Sequence, residues 1–79
     1  MKNIIVEYFA ILRECAGRDS EELATAAATA GELFAELAQR HAFPELSSVK
    51  VAVNDEFAAW DAALAEGDSV VFIPPVAGG

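Results

Sequence analysis

The sequence predicts an α+β roll: a mixed sheet of about five strands covered by one main helix. Three observations predict it. Runs rich in β-branched and aromatic residues stand near both ends of the chain, one long amphipathic segment lies between them, and turn-forming residues divide the rest. The 79 residues are expected to form one domain, 1–79, with 74–79 as an extended tail.

Asn3 to Ala10 carries Ile4, Ile5, Val6, Tyr8 and Phe9 and reads as a strand. Ile4, Val6 and Tyr8 share one face, and Ile5, Glu7 and Phe9 the other. Both faces are largely apolar, which predicts a central strand covered on both sides. Ala10 to Ala16 holds good helix formers and is followed by Gly17, a residue suited to a left-handed cap, so a helical turn or two is expected. Asp19 to Thr25 is read as a short returning strand, although propensity would as readily make it helix.

Thr29 to Ala42 is the clearest element. Thr29 and Glu32 have the spacing of a capping box. Leu33, Phe34, Leu37, Ala38 and His41 recur at helical spacing as one buried stripe, with Glu32, Glu36, Gln39 and Arg40 outside it. Phe43-Pro44 is the expected stop, because proline disfavours helical geometry in the preceding residue. Val49 to Val53 alternates and reads as a strand. Asn54-Asp55-Glu56 is a turn, and Phe57 to Trp60 pairs back as a short strand. Glu66-Gly67-Asp68 is another turn. Ser69 to Ile73 is the last strand, ended by Pro74-Pro75, which cannot extend a ladder.

Composition narrows the function. Thirteen acidic against five basic residues give a formal net charge of −8, which repels phosphate backbones and excludes nucleic acid as an expected partner. A single cysteine fits a reducing, cytoplasmic setting. The N-terminus lacks a signal-peptide layout, and no apolar run nears the roughly 20 residues of a membrane span, so no membrane role is expected.

The last six residues are Pro74, Pro75, Val76, Ala77, Gly78 and Gly79. A proline-braced start points the segment away from the sheet, and six extended residues span at most about 20 Å. Gly78 and Gly79 let the backbone pass where a β-carbon would clash. A terminal carboxylate is a poor electrophile, but adenylation by ATP gives it a good leaving group. A persulfide sulfur can then replace AMP and leave a thiocarboxylate. Two final glycines alone are a weak sign, arising by chance in about 0.5% of chains.

Val6-Glu7-Tyr8-Phe9-Ala10, Leu12-Arg13-Glu14, Val53-Asn54, and Gly67-Asp68 followed by Val71-Phe72-Ile73-Pro74-Pro75-Val76-Ala77-Gly78-Gly79 carry a resemblance. The chain resembles the small subunits of molybdopterin synthase, ubiquitin-like sulfur carriers, nearly end to end. The C-terminal block is the most specific part, while Asp19 to Leu46 matches mainly in pattern. The resemblance implies a ubiquitin-like β-grasp roll and a heterotetramer of two small and two large subunits. It also implies an adenylyltransferase similar to ubiquitin-activating enzymes. In that family the large subunit holds the catalytic residues and the cyclic pyranopterin monophosphate on which the dithiolene is built. Carried over, Gly79 bears the adenylate and then the thiocarboxylate, Gly78 is its thin neck, and Pro74 to Ala77 form the inserted arm. Phe72 and Phe9 are candidates for partner docking, with ordinary core packing the competing reading. No cofactor is expected on the chain, since the ATP is used by the activating enzyme.

Other reactive residues read as structural. Cys15 in an apolar turn behaves as a small hydrophobe, His41 has no evident co-ligands for a metal, and Phe57 and Trp60 read as packing residues. Glu21-Glu22 and Asp55-Glu56 are adjacent and diverge in space, and no catalytic triad or phosphate loop is present. A carrier without an active site of its own is therefore expected. Three alternatives remain open: a sulfur carrier for thiazole or thionucleoside synthesis, a ubiquitin-like modifier joined to lysines, and a plain binding module.

Overall fold

In the computed structural model, which describes residues 1–41, 43 and 48–74, the two terminal runs of β-branched residues lie side by side. The elements are β1 (Lys2–Tyr8), α1 (Ile11–Ala16), β2 (Ser20–Thr25), α2 (Ala30–Arg40), β3 (Lys50–Val53), β4 (Glu56–Ala58) and β5 (Ser69–Ile73). They form one sheet in the order β2-β1-β5-β3-β4. β1 and β5 are parallel, and every other pairing is antiparallel.

Alternation decides which face is buried. Ile4, Val6 and Tyr8 of β1, Val70 and Phe72 of β5 and Val51 of β3 join Ala30, Leu33, Phe34 and Leu37 of α2 in one core. The other face of β1 is open: Asn3, Ile5 and Glu7 are exposed. The expected burial of both faces is thus corrected. β1 is central because it has a strand on each side, while its second row faces outward.

β2 settles the open alternative between strand and helix. Lys2↔Thr25 through Glu7↔Ser20 pair in register, and Leu23 and Thr25 turn inward. Cross-strand pairing and burial override a helix preference that Glu and Ala would otherwise express. The first helix begins at Ile11, not Ala10, whose φ of 51° and ψ of −124° are far from helical. Gly17 closes it with φ 76°, its N–H donating to Arg13 O at 2.9 Å.

Thr29 caps α2, its Oγ1 accepting from Glu32 N–H at 3.2 Å. The reciprocal half of the box is shifted: Glu32 Oε1 accepts from Ala28 N–H at 3.2 Å, one residue earlier than expected. The helix ends at Arg40, with His41 already extended at φ −128° and ψ 144°. The stop therefore comes before Phe43, and Pro44 lies outside the described residues.

The β3–β4 hairpin uses a two-residue loop with φ of 51° at Asn54 and 71° at Asp55, the double positive φ of a type I′ turn. β4 is shorter than the expected Phe57 to Trp60. Trp60 leaves the sheet and tucks under α2, its carbonyl accepting from Gly31 N–H at 2.8 Å. Its ring stacks on Phe72 (centroids 6.0 Å, 18°) and meets Phe34 edge-on at 5.3 Å. Phe34 in turn meets Phe72 at 5.2 Å. Offset and edge-on pairs of this kind each add about 0.5–1.5 kcal/mol beyond their buried area.

Candidate functional site

The site is organised by β5, which runs between β1 and β3 and is followed at once by Pro74. Pro74, expected as the first residue of the arm, is buried at the end of this strand. The folded body therefore grips the chain through residue 74. Pro75, Val76, Ala77, Gly78 and Gly79 lie outside the described residues, and with them the proposed sulfur-bearing carboxylate.

The open face of the sheet beside this strand is apolar in its middle. Glu7 pairs with Val71, Val71 with Ala52 and Ala52 with Phe57, so these four form one row across β1, β5, β3 and β4. Val71 and Ala52 are largely covered, whereas Phe57 is 77% exposed. Phe9 and Ile73 are the residues that follow the last β1–β5 pair, Tyr8↔Phe72. Phe9 is half exposed at 48%, and Ile5 on the same face is 41% exposed. Phe9, Ile73, Val71, Ala52, Phe57 and Ile5 thus make an apolar strip, bordered by Glu7, Glu22 and Lys50. An apolar strip with a charged border is what a docking face requires.

Phe72 is not part of it. Its ring is fully buried between Phe34 and Trp60, so the docking role weighed for it gives way to a core role. In a strand paired on both sides, neighbours point to opposite faces, and Phe72 is the inward one between Val71 and Ile73. Phe57, read from the sequence as a packing residue, is instead largely exposed, on the open face. The signal was present: a two-residue loop at Asn54-Asp55 sets Phe57 opposite Ala52, on the face away from Val51 and Val53.

On the covered face, Tyr8, Glu21 and His41 meet where α2 ends. Tyr8 OH donates to Glu21 Oε2 at 2.6 Å, and His41 Nε2 stands 3.6 Å from the same oxygen. Burial pushes the Tyr8 phenol well above its ordinary range, with the Glu21 hydrogen bond and charge adding to the shift. At the turn before β5, Asp68 accepts from Asn54 Nδ2 at 3.0 Å and from Ala65 N–H at 2.8 Å. The Asn54 bond, then the Ala65 bond, holds its carboxyl below the usual range. These contacts fix β5 and the α2 end rather than line the open face. Cys15 is half-buried on α1. Among the described residues, no three His, Cys, Asp or Glu side chains gather as a metal site, and no helix is long and apolar enough to cross a membrane.

A parallel central pair, one further strand on one side of it and two on the other, and a helix laid across one face define a ubiquitin-like β-grasp protein. The ThiS family matches residues 6–79, and the chain belongs to that family of small sulfur carriers. Its fold is similar to a putative molybdopterin converting factor, subunit 1, from Pyrococcus furiosus: 33% identity, TM-score 0.80, over 96% of this chain and 100% of that one. SAMP1 from Haloferax volcanii is similar at 30% identity and TM-score 0.79, over 98% and 99% of the two chains. So is a chain in the complex of subunits 1 and 2 of the molybdopterin-converting factor from Helicobacter pylori, at 25% identity and TM-score 0.68, over 98% and 99%. The class is a sulfur carrier or a ubiquitin-like modifier.

Proposed function

We propose that the chain carries sulfur for molybdenum cofactor biosynthesis on the carboxylate of Gly79. An adenylyltransferase similar to ubiquitin-activating enzymes joins that carboxylate to AMP, and a persulfide sulfur then displaces AMP to give the thiocarboxylate. The arm from Pro75 to Gly79 enters the pocket of a large subunit, where the sulfur passes to cyclic pyranopterin monophosphate. The proposal requires Gly79 to be the last residue of the mature chain. It assigns catalysis to the partners and only presentation to this chain.

The observation that carries it is the placement of β5. The strand that leads into the glycine tail is central, the residue that follows it, Pro74, is buried, and its own Val71 and Ile73 face the open side of the sheet. A partner seated on that face is within reach of the tail, because five further residues span at most about 18 Å. The likeness to a subunit 1 that forms a complex with a subunit 2 supports this pathway.

Deleting Gly78 and Gly79, or adding one residue after Gly79, is expected to abolish conversion of cyclic pyranopterin monophosphate by the large subunit while leaving the thermal transition unchanged. Retained conversion in either variant contradicts the proposal. The likeness to SAMP1 favours a second reading, in which Gly79 is joined to lysine amines as a modifier. Conjugates of high mass that survive denaturation and require Gly79 would establish that reading.

A further inference from the structure

Lys2 and Lys50 are the only lysines of the chain, and the fold treats them differently. Lys50 opens β3 and pairs directly with Ile73, the last residue of β5. Their Cα atoms are therefore about 5 Å apart. The buried Pro74, from which the glycine tail starts, is the next residue. Lys50 is exposed and shares the open face with Ala52. Its amine makes no hydrogen bond or ion pair among the described residues. The other four cations are engaged. Lys2 Nζ donates to Ala27 O at 2.9 Å, and Arg13, Arg18 and Arg40 stand 3.5, 3.9 and 3.4 Å from carboxylate oxygens.

Distance decides which amine the tail can reach. Lys2 lies six residues before Tyr8, the partner of Phe72, and so about 20 Å back along the sheet. Met1 is farther still. The five residues beyond Pro74 span at most about 18 Å even when all of them point that way. Lys50 requires only one chain reversal, which a four-residue turn supplies. Gly78 and Gly79 accept the positive φ that several turn types need.

Resting on the activation step proposed above, we propose that Lys50 is the acceptor of this chain's own Gly79 acyl group, a self-modification site that closes the tail into a ring when no sulfur nucleophile takes the adenylate. The Lys50 ammonium first gives a proton to solvent. The amine nitrogen then attacks the Gly79 carbonyl carbon, the bond from that carbon to the AMP oxygen breaks, and AMP leaves with the electron pair. A second proton goes to solvent as the amide forms. The acyl donor is this chain's own tail rather than a second copy's. A short tether holds the acyl group at about millimolar effective concentration, whereas copies of net charge −8 repel one another. A partner that holds the arm extended in its pocket keeps the acyl carbon away from Lys50.

The test uses the folded full-length chain bearing a Gly79 thioester in place of the adenylate, without enzyme, beside Lys50→Arg and Lys2→Arg chains. The parent chain is expected to release the thiol and become a monomer one water lighter than the free acid, with fragmentation joining Gly79 to Lys50. The rate stays the same over about a hundredfold dilution. Lys50→Arg slows ring formation at least about tenfold, and Lys2→Arg leaves it unchanged. Hydrolysis alone, a bond to Lys2 or the Met1 amine, or a Lys50–Gly79 bond found only between two chains overturns the inference and leaves the carrier reading standing. The same ring is expected when the unmodified chain meets the ubiquitin-activating-enzyme-like adenylyltransferase of its organism with ATP and no sulfur donor. A persulfide donor then suppresses it in favour of the thiocarboxylate. ATP–pyrophosphate exchange without the ring overturns this inference alone. A folded chain that supports no exchange overturns the carrier reading and, with it, the source of the acyl group.

Discussion

The phenol of Tyr8 and the carboxylate of Glu21 are joined at 2.6 Å across the β1–β2 pair, on the face covered by α2. The contact is diagonal, since Val6 is the residue directly opposite Glu21. It carries a pH dependence whose sign follows from burial. The unfolded phenol titrates near about 10, and the folded one higher, so the folded state keeps its proton where the unfolded state loses it. The stabilisation is complete below about pH 10 and is lost as pH rises through the folded value. Tyr8 is the only tyrosine, so tyrosinate absorbance reports it alone. The absorbance is expected to rise together with loss of the folded circular-dichroism signal. A tyrosinate step near the ordinary value in a chain that stays folded contradicts the burial argument.

Phe72 and Phe57 should separate stability from docking. Phe72→Ala removes a fully buried ring and is expected to cost about 3–5 kcal/mol in denaturant unfolding. That is a large share of the total for a domain of this size. Phe57→Ser, at a side chain 77% exposed, should change stability by less than about 0.5 kcal/mol yet weaken binding to a partner that reads the open face. Titration calorimetry against the proposed large subunit checks the second half.

Gly31 is held close to Trp60. A β-carbon there would lie 3.1 Å from the Trp60 carbonyl oxygen, which already accepts the Gly31 N–H. Gly31→Ala therefore gains helix propensity but crowds the backbone carrying the stacked Trp60. The expected result is a net loss of about 1 kcal/mol, read as a lower denaturant midpoint with altered tryptophan fluorescence. Trp60 is the only tryptophan, so the fluorescence has one source.

Thr29→Ala removes the acceptor for Glu32 N–H and should cost about 1 kcal/mol. Thr29→Ser keeps the oxygen and should restore most of it. Equal losses in the two variants would assign the effect to something other than the cap.

Much of this architecture is legible in the residues. The period of Leu33, Phe34 and Leu37 and the cap at Thr29 give α2, and the Asn54-Asp55 loop gives the hairpin. What local pattern does not carry is which side of the sheet stays open. Ile5 and Phe9 look like core residues in sequence, yet they are 41% and 48% exposed because one helix covers one face only. For the same reason Phe72, for which docking and core packing are both open in the sequence, is fully buried, and Phe57, which reads as a packing residue, is exposed. Local propensity also misreads Ala10, where the buried anchors Tyr8 and Leu12 impose a turn that alanine alone would not choose. The tail chemistry rests on the identity of residues 74–79 and on family resemblance, since the described structure stops at the gripped Pro74.

The most direct measurement is the intact mass of the wild-type chain after incubation with its adenylyltransferase, ATP and a persulfide donor. The account predicts a gain equal to one oxygen replaced by sulfur, localised by fragmentation to Gly79 and lost when Gly79 is removed. An unchanged mass, or sulfur found on Cys15, would contradict it.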